Sequence, residues 1–575
     1  MMHMPTSLVD ILQWRAKNQP NQLAYRFLKD GEYDEVVLTY EDLDRRARYI
    51  GALLQYSARA GDRALLLFPP GLDFIAAFFG CLYAKILAIP AYPPHPARLE
   101  KSLPIILRIA ADAKPSVVLL TSSLFNEINS GNIIRDEFGN MKMMITDTDV
   151  MHNWTGKWQQ PEIDRNDIAF LQYTSGSTSL PKGVMVSHNN LLHNLDNIET
   201  SFGQSSKSQT VIWLPPYHDM GLIGGILQPL YTGNPVTLIP HLMFLQRPMR
   251  WLQAISRFRA TTSGGPNFAY DLCVRKIKPE QRKQLDLSTW EVAFNGAEAI
   301  NPQTLDQFAE YFAPCGFHRK AFLPCYGLSE ATLMVVGGPK ARTPVMKNLV
   351  KSGLEENKVI ISPEKCEDTR MVVSCGRNLS DQKIRIVNMK TLKPCPGNEV
   401  GEIWVSGLSV ARGYWNNPLE TEFSFCARLS TNKEEGPFLR TGDLGFLFEG
   451  ELYIIGRFKS LIIVNGKNYY PNDIERTVEI SHPAIIPAAC AVFSIENSGS
   501  ERVIVIAEIQ HKLVSNTAEV LKAIRTTIAE YHDLTVLEIK LMLPGSIPRT
   551  TSNKIKHFLC KKNYLSGSLN EITLP

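Results

Sequence analysis

The ten cysteines of this 575-residue chain are scattered, and no two form a C-x-x-C pair. That pattern argues against a disulfide framework and against a zinc site. It fits reduced thiols in a cytoplasmic protein. Excess charge is lacking as well. The formal net charge is +4, too small at this length to suggest bulk nucleic-acid binding. The opening MMHMPTSLVDILQW has neither a basic start nor a long apolar core, so no signal peptide is expected. Long uncharged runs are missing too. The most membrane-like stretch, residues 72–90, carries Asp73 and Lys85 and ends in prolines. A membrane span needs about 20 largely uncharged residues, so this stretch reads as a buried helix. There are no internal repeats and no low-complexity tracts. What remains is ordinary globular composition, 44% hydrophobic and 21% charged. The length suffices for a large core and suggests about three or four domains.

Strand and helix patterns alternate along the first half. EVVLTY is a strand, and EDLDRRARYIGALLQ is a helix with Leu43, Ala47, Ile50 and Leu54 on one face. RALLLF, SVVLLTS, MKMMITD and DIAFLQYT are further strands. GLDFIAAFFGCLYAKI, SLPIILRIAADAK and NNLLHNLDNIETSF are helices, the last capped by Ser187 or Asn189. AIPAYPPHP reads as a proline-rich turn. TVIWLPPYHDMGLIGGILQPLYTG reads as a strand, a polar corner and an apolar helix. ATTSGGPNFAYDL is a strand, a glycine turn and a helix, and WEVAFNGAEAI and AFLPCYGLSEAT repeat that shape. Such alternation implies a mainly parallel sheet covered on both faces. Between Glu330 and Gly376 the alternation lapses into a polar stretch without a clear period. From Lys383 short β-strands follow (KIRIVN, EIWVSG, ELYIIG), and past Arg457 a smaller α/β unit begins.

The stretch YTSGSTSLPKGVMVSH, residues 173–188, carries the first chemical signal. Thr174, Ser175, Ser177, Thr178 and Ser179 supply hydroxyls. Gly176 and Gly183 let backbone approach a ligand, and Lys182 adds a point charge. Amides, hydroxyls and one ammonium converging in this way make an anion site, most simply for phosphate. It is not a Walker A loop, because Lys182 precedes Gly183 instead of following a glycine. It is not a nucleophile elbow, because Gly176 and Ser177 do not fit G-x-S-x-G.

This loop is one of six motifs that occur in order. The others are NGAEAI (295–300), YGLSE (326–330), TGD (441–443), GRFK (456–459) and PRTTSNKIK with Lys554. Together they resemble the adenylate-forming superfamily of acyl-CoA synthetases, adenylation domains and luciferases. The resemblance implies an α/β fold. A large N-terminal domain of mainly parallel sheets flanked by helices, plus a β-rich subdomain, would span residues 1–458. A small, mobile α/β C-terminal domain would span residues 459–575. It implies ATP and Mg²⁺, with Thr178 and Glu330 placing the metal. Thr174, Ser175, Gly176, Ser177, Thr178 and Lys182 would hold phosphates. Tyr326, in YGLS with Gly327 and Ser329, would stack on adenine, and Gly296, Ala297 and Glu298 would line its other face. Asp443 would accept the ribose hydroxyls, since a carboxylate is acceptor-only with two oxygens. Arg457 would contact ribose or phosphate, and Lys459 would be a hinge. Lys554 would bridge the substrate carboxylate and the α-phosphate. Asn553 departs from the usual glycine there.

His218, in the corner WLPPYHDMGLIGG, is the candidate nearest the substrate carboxylate. Its expected surroundings (Met220, Leu222, Ile223, Met243, Phe244, Leu245 and Phe268) are apolar, and no obvious acidic partner for an amino group appears where amino-acid-activating members of the superfamily carry one, which favours a fatty acid. Within the superfamily, PAYPP, LPPYHDMGLIGGILQPLY, SGGPNFAYDL and NGKNYYPNDIE resemble the fatty acyl-AMP ligases. That subfamily carries an insertion after the Y-G-x-S/T-E motif, matched here at about 340–372. By analogy it binds the small domain and hinders the rotation that coenzyme A use requires. Ile463, where coenzyme A users often carry lysine, agrees. The resemblance implies activation of a medium- or long-chain fatty acid to acyl-adenylate. Transfer to the phosphopantetheine thiol of a separate acyl carrier protein, or of a polyketide or peptide synthase carrier domain, would follow. The alternative is a long-chain acyl-CoA synthetase.

Overall fold

The computed structural model describes residues 5–94, 99–130, 141–147, 155–174, 181–464, 466–497, 500–510, 516–550 and 554–569. The strand–helix alternation resolves into two large sheets. In one sheet of nine strands, Phe322–Gly327, Val292–Asn295, Thr262–Gly265, Thr210–Ile212, Val236–Leu238 and Leu23–Leu28 lie side by side in that order. These six run parallel. Antiparallel strands close both edges. In the other sheet, Lys142–Ile145, Val117–Leu120, Arg63–Leu67, Leu87–Ala91 and Ile168–Thr174 are parallel, and Lys182–Ser187 returns antiparallel at the edge.

The helices between them follow from local chemistry. Thr39 caps helix Tyr40–Ser57 through a reciprocal box with Asp42. Its Leu43, Ala47, Ile50 and Leu54 are all buried. Each buried leucine contributes about 1.5–3 kcal/mol. Helix Leu72–Tyr83 is buried at every residue except Asp73, as an apolar helix inside a large core should be. Among the described residues, no helix is long and apolar enough to cross a membrane. Ser187, not Asn189, caps helix His188–Phe202, in a box with Asn190.

Two expectations change, and one stretch that showed no period gains its structure. First, AIPAYPPHP is not wholly a turn, because Leu87–Ala91 is an interior strand. Pro90 is in register with Leu66 on one side, and on the other side the pairing is at Ala88 with Phe170, so among the described residues the proline has no ladder partner there. Second, AFLPCYGLSEAT does not repeat the strand–turn–helix shape. After strand Phe322–Gly327 only the single turn Ser329–Ala331 forms. Thr332 then takes φ 68° and ψ −67°, a conformation that stops a helix, and Met334–Gly337 turns back antiparallel. The polar stretch after Glu330 is built. Met346–Val350 pairs with both Ile361–Ser362 and Thr369–Val373 in a three-stranded sheet. Short strands with few apolar residues carry no visible period. The register becomes defined when Leu349, Leu354, Val359 and Val372 pack on Leu444, Phe446, Tyr453 and Ile455.

An antiparallel sheet of Lys383–Val387, Gly401–Ser406, Leu439–Phe448 and Glu451–Arg457 follows. Past it the chain builds its own cores on both faces of the sheet Ile485–Asn497, Ser500–Ile509 and Val536–Met542. The three-stranded insertion touches this unit. Arg370 Nη1 lies 2.7 Å from Asp473 Oδ2 in a largely buried ion pair, and its guanidinium sits 5.5 Å from the Tyr470 ring centroid. Glu355 pairs with Lys467 at 2.9 Å, and its carbonyl accepts from Asn468 Nδ2 at 2.9 Å.

Candidate active site

Strands Ile168–Thr174 and Lys182–Ser187 pair with Thr174 opposite Lys182. Residues 175–181 therefore connect them. Ser175, Gly176, Ser177, Thr178 and Ser179 lie outside the described residues, as does Asn553. Thr174 ends one strand, half-buried, and Lys182 opens the next. The Lys182 ammonium pairs with Glu420 and stands 4.7 Å from the Tyr414 ring centroid. Segment 412–415 is laid along the return strand: Met185 N–H donates to the Gly413 carbonyl and Trp415 N–H to the Gly183 carbonyl. Tyr414 Oη donates to Glu330 Oε1 at 2.8 Å. One tyrosine thus touches both Lys182 and Glu330. Neither Tyr414 nor Glu420 is among the sequence candidates. The signal was ARGYWNNP, a glycine–aromatic turn directly after strand Gly401–Ser406.

Val292–Asn295 and Phe322–Gly327 are parallel neighbours. Their carboxyl ends carry 296–298 and 328–330, at the edge where open parallel sheets hold ligands. Ala297 takes φ 69°. Glu298 Oε1 accepts the Phe268 N–H at 2.7 Å. Burial pushes the Glu298 carboxyl up. At Gly327 a Cβ would stand 1.8 Å from the Leu333 carbonyl oxygen, so only glycine allows the Met334–Gly337 strand to fold back so closely. Ser329 Oγ donates to Asp219 Oδ2 at 2.5 Å, and Asp219 Oδ1 accepts the Met220 N–H at 2.7 Å. Burial pushes the Glu330 carboxyl up, and the Tyr414 hydroxyl opposes this.

Asp443 and Arg457 are direct cross-strand partners. Arg457 Nε donates to Asp443 Oδ1 at 2.7 Å, and Tyr326 Oη donates to Asp443 Oδ2 at 2.7 Å. The buried Asp443 holds Arg457 firmly protonated. The structure therefore brings together Tyr326, Asp443 and Arg457 from motifs far apart in sequence. The Tyr326 hydroxyl engages the carboxylate, which orients the ring.

The corner at 215–219 leads into Met220–Leu227, a π-helix instead of the α-helix the apolar pattern implied. Such wide turns concentrate at functional sites. Burial pushes the His218 imidazole down to about 4, against the pull of Asp219. The imidazole is therefore neutral at pH 7. Lys554 comes from the far end of the chain and lies within electrostatic reach of Asp219, Glu298, Asp443 and Arg457. Burial lowers its ammonium, and Asp219 and Glu298 oppose the shift. Lys459 lies apart from this cluster, exposed on the single turn Phe458–Ser460 between the β-rich sheet and the C-terminal unit.

Known proteins resemble this chain over nearly its whole length. Residues 12–415 match the family model described as AMP-binding enzyme. Residues 459–574 match the model described as Disco-interacting protein 2-like, AMP domain. The chain is 45% identical over 574 residues to the medium-chain-fatty-acid–[acyl-carrier-protein] ligase JamA of Moorena producens, covering 98% of this chain and 96% of that protein. A fatty acyl-adenylate ligase from Legionella pneumophila, solved with acyl adenylate and pyrophosphate, is 41% identical with a TM-score of 0.77, over 98% of this chain and 96% of that one. A structure from work on the fatty acyl-adenylate ligases of E. coli and L. pneumophila is 31% identical with a TM-score of 0.88, over 98% of each chain. In sequence and in fold, the chain belongs to the AMP-binding enzyme family of the adenylate-forming superfamily.

Proposed function

We propose that this protein is a fatty acyl-AMP ligase. It activates a medium- or long-chain fatty acid with ATP, releases pyrophosphate, and passes the acyl group to the phosphopantetheine thiol of a separate acyl carrier protein. The observation that carries the reading is a combination in one structure. Lys554 lies within electrostatic reach of Asp219, Glu298 and Asp443 while the insertion grips the C-terminal unit.

Activation brings a carboxylate against the α-phosphate, so two anions must meet. Catalysis is then largely positioning and charge neutralisation. In this reading Lys554 spans the two anions. His218, neutral at pH 7, donates to the carboxylate without adding charge. Asp443 accepts the ribose diol and Tyr326 packs on adenine, with the turn Gly296, Ala297 and Glu298 on its other face. Arg457 meets ribose or phosphate. Thr174, residues 175–178 and Lys182 hold the pyrophosphate side, and Lys182 exchanges Glu420 for it. Gly327 and Ser329 shape the turn beneath.

Among the described residues there is no group of three or more His, Cys, Asp or Glu able to hold a metal alone. One carboxylate, Glu330, beside a phosphate site fits Mg²⁺, which takes few protein ligands plus phosphate oxygens. Glu330, with Thr178, would hold that ion, which supplies charge neutralisation when bound. Residues 1–458 and 459–575 act as two bodies hinged at Lys459. The insertion contacts oppose the rotation that coenzyme A would need. Reduced thiols and ATP use suit the cytoplasm.

The test is mass spectrometry of products from ATP, Mg²⁺ and a mixed fatty-acid pool, with coenzyme A or with holo-carrier protein. Acyl-adenylate and acyl-carrier are expected. Rapid acyl-CoA formation would overturn the reading in favour of the synthetase.

A further inference from the structure

Lys554 stands on a hairpin that leaves the C-terminal unit, and its two strands are pinned differently. They are tied to each other by the Arg549–Ile555 bridge, by Thr550 N–H to the Lys554 carbonyl at 2.7 Å, and by Lys556 N–H to the Pro548 carbonyl at 2.9 Å. The outgoing strand is fixed to the sheet twice. Ile547 N–H donates to Glu508 Oε1 at 2.7 Å, and Arg549 Nη2 donates to the Ala488 carbonyl at 2.5 Å. The return strand runs into helix His557–Leu565, and its polar tie is at the first residue of that helix. His557 Nε2 lies 2.6 Å from Glu475 Oε1, with both side chains mostly buried. The same oxygen accepts the Val492 N–H at 3.0 Å. One carboxylate oxygen thus joins helix Pro471–Ser481, strand Ile485–Asn497 and the residue three places after Lys554.

We propose that the Glu475–His557 ion pair is the anchor that keeps Lys554 within electrostatic reach of Asp219, Glu298 and Asp443, making His557 a positioning residue for adenylation. This rests on the role given to Lys554 above. A cation at the first turn of a helix opposes the helix dipole, so the imidazolium does not serve the helix itself. Its partner is Glu475. Burial works against charge on His557, but Glu475 outweighs it and holds the imidazole above its ordinary value. The ion pair is therefore complete below the ordinary histidine range and is lost as pH rises through the raised value. The other ionisable groups that feel Glu475 are Arg476 and Glu479 from its helix, Cys490 from the strand and Cys560 from the following helix. Of these, Glu479 is pushed up to about 7 by burial, so it titrates in the same window. A guanidinium at position 557 separates the two, because it does not titrate there.

The experiment uses the full chain as His557→Ala, His557→Arg and Lys554→Ala. The rate and KM of acyl-adenylate formation are measured from about pH 6 to pH 10. Acyl transfer from added acyl-adenylate to the carrier is measured alongside. His557→Ala should lose about 10- to 100-fold in kcat, as expected for a displaced catalytic group, with KM for ATP and transfer from added adenylate unchanged. His557→Arg should restore kcat and move the alkaline limb to higher pH. Wild-type kcat in His557→Ala, an unmoved limb in His557→Arg, or an equal loss in transfer would each overturn the anchor. Full adenylation by Lys554→Ala would overturn the role of Lys554 itself, and the anchor with it. Inactive Lys554→Ala beside fully active His557→Ala would overturn the anchor alone.

Discussion

The double variant Arg370→Ala, Glu355→Ala removes the two ionic contacts through which the insertion holds the C-terminal unit. The Arg370–Asp473 pair is 10% and 21% exposed at its side chains. Arg370 Nη2 also donates to the Ile455 carbonyl at 3.1 Å. Its loss lies between the cost of a surface pair and that of a buried one, about 2 kcal/mol. The Glu355–Lys467 pair, 20% and 48% exposed, adds about 0.5 kcal/mol. Together they shift the balance between held and rotated orientations on the order of 50-fold. The assay is acyl-CoA formation from ATP, fatty acid and coenzyme A, beside fatty-acid-dependent pyrophosphate release. Acyl-CoA formation should rise by that order while pyrophosphate release stays within about twofold. A folded double variant with unchanged acyl-CoA formation would refute the brake. Deleting residues 340–370 outright is a poorer test. It would strip Leu349, Leu354 and Val359 from the core they share with Phe446 and Tyr453, and lost packing would mask released motion.

Lys554→Ala should lower acyl-adenylate formation by at least about 100-fold, the usual cost of a donor aimed at transition-state charge. ATP affinity, read by calorimetry, should be largely kept; full activity would remove Lys554 from the chemistry. Asp443→Asn leaves Arg457 without its ion-pair partner and removes a charged acceptor, so the Kd for ATP should rise by about tenfold or more; an unchanged Kd would place ribose elsewhere. Tyr414→Phe removes the hydroxyl on Glu330 while keeping the ring under Lys182. The Mg²⁺ concentration for half-maximal rate should rise severalfold, with KM for the fatty acid unchanged. Burial lowers the Lys554 ammonium, so in His557→Arg, where the anchor no longer titrates, the adenylation rate should still fall with rising pH earlier than an ordinary lysine would allow. His218, already neutral above about pH 4, should contribute no limb between about pH 5 and pH 8; a limb near 6.5 that vanishes in His218→Asn would contradict its placement.

Much of this protein was legible in its sequence. Runs such as RALLLF and SVVLLTS gave parallel strands because strands buried on both faces must be apolar throughout. Thr39 and Asp42 fixed a helix start locally, through two side-chain bonds. Motifs such as TSGSTSLPKG and YGLSE carried the family because a phosphate cradle and a tight turn each need particular residues at adjacent positions. Contacts between distant segments were not legible. The Tyr414 bridge between Lys182 and Glu330 depends on segment 412–415 lying along the return strand of the loop hairpin. The insertion showed no clear period because its few apolar residues are spaced for packing on other strands. The π-helix at Met220–Leu227 and the reversal at Thr332 are backbone choices fixed by close neighbours, and apolar composition cannot distinguish them from an α-helix. Tertiary structure alone brought Lys554 within electrostatic reach of Asp219, Glu298 and Asp443. The sequence could name the lysine and its charge. Its position depends on Glu475, Glu508 and Ala488 holding a hairpin in place, and those contacts join segments that have no local reason to meet.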